Sequence, residues 1–173
     1  KIVGDAPPDD RRMLELLETM SSARASSPST SRISGRKGSR IVFLDLGDVL
    51  WFDRNLVWKG NLAPLHPQGS LGEPVRTVVD SQGRILVADS KSRQIFLFRD
   101  GAYAGAWGGR GDPPGQFRSL DDIAVDADDM VYAADADRGA VFVFTPDGLL
   151  ERVVSGFEGV WFVKPALVAL DPG

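Results

Sequence analysis

An all-β fold built from a repeated four-stranded unit is the class this sequence predicts, and three observations predict it. Asp80, Asp126 and Asp171 fall 46 and 45 residues apart in nearly the same setting: Val-Val-Asp80, Ala-Val-Asp126 and Ala-Leu-Asp171. A fixed period in this range marks one supersecondary unit that cannot bury its apolar face alone. Two complete copies also align over longer stretches, Ile85–Asp89 with Val131–Asp135 and Gln94–Phe98 with Ala140–Phe144. Each copy, finally, holds four short β-branched or aromatic runs separated by Gly, Asp and Ser, with no helical period, as antiparallel strands require. Four strands in about 40–45 residues is the spacing of a propeller blade, so the chain reads as an incomplete β-propeller of about three blades.

Residues 1–40 differ in kind and read as an N-terminal arm. Pro7-Pro8-Asp9-Asp10 is a helix start, with carboxylates favoured in the first turn. Met13, Leu16, Leu17 and Met20 recur at helical spacing and predict a short helix over 9–22 that needs a surface to pack on. From Ser21 to Arg40 there are eight Ser, five Lys or Arg and no acid, the composition of a flexible basic linker.

The repeat region follows over 41–173. Residues 41–62 predict a degenerate blade with strands at Ile41–Asp45, Val49–Asp53 and Leu56–Trp58, where Asp53-Arg54-Asn55 replaces the usual Asp-Gly turn. Blades follow over about 72–110 and 115–156, separated by Pro- and Gly-rich loops. In each, Asp89 or Asp135 closes the second strand, where a short carboxylate can accept from the backbone two residues on. Ala88 and Ala134 just before them predict a place where sheets stack closely. Phe96, Phe98, Phe142 and Phe144 alternate, so one face of each strand carries the rings. Phe157 to Val163 predicts another apolar strand, and 157–173 the start of a further copy.

The stretch Gly115-Gln-Phe-Arg-Ser-Leu, then Ile123-Ala-Val-Asp126, Val131-Tyr-Ala-Ala-Asp135 and Val141-Phe-Val-Phe144, resembles the NHL-repeat β-propellers. Trp107-Gly-Gly-Arg-Gly-Asp-Pro-Pro-Gly115 looks like the loop that joins consecutive NHL blades. The resemblance covers about residues 72–173, and it implies a ring usually closed by six blades. Three blades and a beginning do not close one, so the expectation is a fragment of a longer protein, a partly ordered chain, or one covered by a partner. Many bacterial NHL-like propellers are exported, which implies a periplasmic or extracellular location. A first residue of Lys rather than Met fits a removed leader.

Composition narrows the function. Residues 1–40 carry eight Lys or Arg against five acids, whereas residues 41–173 carry twelve against nineteen. An acidic propeller argues against nucleic-acid binding, which needs clustered cations. No apolar run approaches the length of a membrane span, although Arg36, Lys37 and the rest of the arm offer a peripheral contact. No Cys is present, which excludes thiolate chemistry and thiolate metal sites.

His66 is the only histidine, in a loop between prolines, so no triad or multi-histidine metal site can be assembled. Asp126, Asp128 and Asp137 are weak candidate ligands for a hard cation. Met130 and Val131, however, stand where a calcium loop of EF-hand type needs a ligand and a Gly. Arg110-Gly111-Asp112 falls in an interblade loop and reads as chance, and Gly105–Gly111 lacks the Lys-Ser/Thr ending of a phosphate loop. Trp107 and Trp161 join Met13, Leu16, Leu17, Met20, Arg36 and Lys37 as candidate interface residues.

No catalytic residue or cofactor is expected. The sequence reading is a non-enzymatic protein-binding scaffold or accessory subunit of an envelope or membrane-associated complex. The alternative is a fragment of a six-bladed enzyme of the metal-dependent lyase type, or a ligand sensor, as the resemblance also implies.

Overall fold

The computed structural model describes residues 41–45, 48–53, 57–62 and 71–170. The helix expected over 9–22, the basic linker and His66 lie outside the described residues. Within them the protein is all-β, an incomplete propeller. The first sheet has three strands, β1 (Ile41–Asp45), β2 (Asp48–Phe52) and β3 (Trp58–Asn61). The second has four, β4 (Pro74–Val79), β5 (Ile85–Asp89), β6 (Gln94–Arg99) and β7 (Ala102–Gly108). The third repeats it with β8 (Asp122–Val125), β9 (Val131–Asp135), β10 (Ala140–Phe144) and β11 (Leu150–Val154). In every sheet, consecutive strands pair as antiparallel neighbours.

The register shows how regular the repeat is. Ile41 pairs Phe52, Ile85 pairs Phe98 and Val131 pairs Phe144. A bulge follows at Trp51/Phe52, Leu97/Phe98 and Val143/Phe144, each 46 residues after the last. Because a one-residue slip would turn every side chain to the opposite face, a shared bulge fixes correspondence strand by strand. The first sheet therefore holds counterparts of the second, third and fourth strands, and no described residue supplies the counterpart of the first. The expected third strand moves from 56–58 to Trp58–Asn61.

Burial follows strand parity. On β5 all five residues are buried, because both faces of the middle sheet are covered. Ile85 and Val87, with Phe96 and Phe98 of β6, pack toward the first sheet against Val49, Leu62 and Leu71. Leu86, Ala88 and Ile95 point the other way and meet Ile123, Val131, Ala133, Phe142 and Phe144 of the third sheet. Ala88 and Ala134 are fully buried. The loop residue Phe117 drops into the second of these cores, its ring 5.1 Å from Phe142, and Leu71 occupies the matching place 46 residues earlier.

Past the third sheet the expected apolar strand 157–163 does not form. Gly156–Phe157 (β12) and Val160–Trp161 (β13) make a small hairpin around Glu158-Gly159, both at positive φ. Beyond it, the described residues to 170 form no strand. This tail is pinned back on the third sheet: Phe162 N donates to Ser155 O at 2.8 Å, and Val168 N donates to Asp122 Oδ2 at 2.9 Å.

Candidate docking surfaces

The repeated aspartates lock the sheets together. Asp80 and Asp126 follow the first strand of their units, and each turns the chain by accepting from backbone amides of its own hairpin. Asp80 Oδ1 takes Gln82 N and Arg84 N, and Asp126 Oδ1 takes Asp128 N and Met130 N. The other oxygen binds a side chain, Arg84 Nε in one case and Tyr132 OH at 2.9 Å in the other. Burial, and then the Asp126 bond and charge, push the Tyr132 phenol up from its ordinary value.

Asp89 and Asp135 are fully buried and reach further than the sequence predicts. They accept three residues on, from Ser92 N and Arg138 N, not two. Each also clasps the loop arriving from the preceding sheet. Glu73 N donates to Asp89 at 2.6 Å, while Arg118 N and Ser119 N donate to Asp135 at 2.8 and 3.1 Å. A buried carboxylate with this many amide donors meets most of its desolvation cost locally.

Two further acids bridge neighbouring units. Asp129 sits in the left-handed region, φ 63, where the preceding unit has Gly83 at φ 77. From there its carboxylate takes Ser81 N and Ser81 Oγ of the preceding unit, at 2.8 and 2.7 Å. Asp122, on the first strand of the third sheet, lies 3.1 Å from Arg76 Nε of β4 while also holding Val168 N. Arg76, Asp122 and Val168 are spaced 46 residues apart, so the tail takes the place a next first strand would occupy.

The candidate metal ligands lie in and beside these contacts. Asp126 spends both oxygens on hydrogen bonds. Asp128 and Asp137 are exposed. Among the described residues no group of three or more His, Cys, Asp or Glu is placed to hold a metal. The Arg-Gly-Asp loop is internally tied. Arg118 Nε donates to Asp112 Oδ1 at 2.6 Å and holds that carboxyl below its ordinary value, while Arg138 donates to the Gly111 and Asp112 carbonyls.

The two described Trp candidates part ways. Trp107 is a packing residue: its ring lies 6.3 Å from that of Phe144 and covers Gly148 in the Pro146-Asp147-Gly148 turn of the next sheet. Trp51 covers Gly101 in the same manner one unit earlier. Trp161, by contrast, is 74 % exposed. Around it in the chain, Leu149, Val153, Phe157, Val160, Val163 and Leu167 are exposed as well, whereas most large apolar residues of the earlier sheets are buried. These exposed apolar groups follow one another along a single stretch of the chain, whereas scattered single ones are the norm. Met13, Leu16, Leu17, Met20, Arg36 and Lys37 fall outside the described residues. No helix among the described residues is long and apolar enough to cross a membrane.

A family described as a 6-bladed beta-propeller (DUF5128) matches residues 70–153. Those residues carry the second and third sheets almost entirely, and the likeness is to a propeller, not to the NHL repeats in particular. No curated relative matches the chain.

Proposed function

We propose that these propeller units form a non-enzymatic protein-binding module, of NHL-like type, serving as a scaffold or accessory subunit. The observation that carries this reading is the exposed apolar stretch from Leu149 to Leu167, centred on Phe157, Val160 and Trp161. Tryptophan at the centre of an apolar patch is the side chain that most often anchors a protein interface. The buried or half-buried Asp80, Asp89, Asp126 and Asp135 have their carboxylates engaged in turns and joints, which fits a structural role for the repeated aspartates. A periplasmic or extracellular complex at the envelope is the setting we assign, on the strength of the resemblance to the NHL-repeat propellers.

A photo-crosslinking residue placed at Trp161 in cells tests the reading, with one at exposed Asp128 as the control. The expected result is a discrete cross-link to another protein from position 161 alone. The complex rebuilt from purified components should then weaken at least about tenfold with Trp161→Ser. Cross-links confined to the chain itself would make this stretch an internal joint and end the proposal. Finding the protein in the cytoplasmic fraction would remove the envelope setting.

A further inference from the structure

Between the second and third sheets, a groove of about 390 Å3 is lined by Arg84, Leu97, Arg99, Gly105, Trp107 and Asp147. That is the lower end of the volume small ligand sites occupy. Its polar lining is mostly donor. Arg84 is 4 % exposed, and its Nε is bound to Asp80. The other acid near it, Asp147, is 89 % exposed and 3.9 Å from Arg84 Nη1, beyond hydrogen-bonding reach. Arg99 is exposed, and the described residues offer it no ion pair. Trp107 Nε1 is buried with no acceptor. Buried donors without acceptors are uncommon, and a planar guanidinium is matched best by a carboxylate.

The groove borders an open strand edge. β7 is the last strand of its sheet and, among the described residues, pairs only with β6. Ala102 and Ala104 on it are exposed, and Ala104 is the extra residue of the bulge opposite Leu97/Phe98, so the regular part of this edge runs from Gly105 to Gly108. Such an edge accepts an extended backbone, while a neighbouring pocket selects its side chains.

We propose that this groove receives a Glu or Asp side chain of an extended acidic peptide segment that adds to the β7 edge. The incoming carboxylate takes the Arg84 Nη groups and Arg99, and moves Asp147 aside. The inference rests on the protein-binding reading and names the chemistry of one partner segment, at a place separate from Trp161.

Calorimetric titration of the whole chain with a blocked Thr-Glu octapeptide tests it, beside the same peptide carrying Gln for Glu and beside acetate. The Glu peptide should bind at about 0.15 M salt and the Gln peptide at least about tenfold more weakly. Arg99→Glu should weaken the Glu peptide about tenfold, and Asp147→Asn should tighten it about threefold by removing the competing carboxylate. Both positions are exposed, so circular dichroism should match the parent. Equal binding of the Gln peptide, unchanged affinity in both variants, or acetate binding as well as the peptide would each overturn the proposal. If the peptide fails while the Trp161 complex survives Arg99→Glu, only this inference falls.

Discussion

Asp129 carries two opposed effects in one residue. Its φ of 63 is costly for a side chain with a Cβ, yet its carboxylate makes two bonds to Ser81. Asp129→Gly removes the bonds but relieves the backbone, so a loss of about 1 kcal/mol is expected. Asp129→Ala removes the bonds and keeps the strain, for a loss of about 2 kcal/mol. Urea denaturation decides, and an alanine variant as stable as the glycine one would refute the account. Tyr132 gives a pH test. Because its folded-state pKa is raised, its contribution is whole below the unfolded value and lost as pH rises through the folded one. Tyr132→Phe should flatten the fall in stability above about pH 10 without changing its acid limb. At this scale the sequence was legible for roles and not for reach. Asp89 and Asp135 were readable as turn formers, since that needs only local spacing. Their grip on Glu73 and Arg118 joins residues about a third of a unit away, which no local pattern records.

At the level of strands and turns, the joints between sheets depend on glycines that admit a ring. A Cβ at Gly148 would meet the Trp107 ring at 2.6 Å, and one at Gly101 would meet Trp51 at 2.9 Å. Both glycines also have φ near +80, so an alanine there is strained twice. Gly148→Ala should cost about 2–3 kcal/mol, whereas Gly109→Ala, whose Cβ would meet nothing within 4 Å, should cost only its backbone strain of about 1 kcal/mol. Thermal denaturation of the pair measures the difference, and equal losses would show that the ring contact contributes nothing. The strands themselves were readable because Ile85–Asp89 and Val131–Asp135 share pattern and length. The shared bulge was not, since its extra residue is Lys59 in the first sheet, Ala104 in the second and Glu151 in the third, with no common chemical type to mark it. Phe157–Val163 misled for a related reason. An apolar run was visible, but Glu158 and Gly159 at its centre turn the chain, and a run so short cannot show that by periodicity alone.

Across the whole molecule, the middle sheet is sandwiched between neighbours and the third sheet is followed by exposed apolar side chains. Replacing Phe157 and Trp161 by Ser should leave the unfolding free energy from urea denaturation within about 0.5 kcal/mol of the parent, because neither is buried. The same change should raise the concentration at which the protein self-associates, and light scattering would follow it. A large loss of stability would mean these residues are core. The sequence could place Trp107 and Trp161 in one class because both stand at strand ends. Only the fold separates the ring that covers Gly148 from the one that faces water.

The tie between Asp129 and Ser81 has one further consequence. Ser81 is exposed, and an amide in such a turn would ordinarily trade its proton for deuterium quickly, yet this one is held by a carboxylate 48 residues downstream. Its exchange rate therefore reads the closure of the joint between two units, once the amides of β5 show that the unit itself is intact. In Asp129→Gly that single amide should lose protection while Leu86 and Val87, deep in β5, keep theirs.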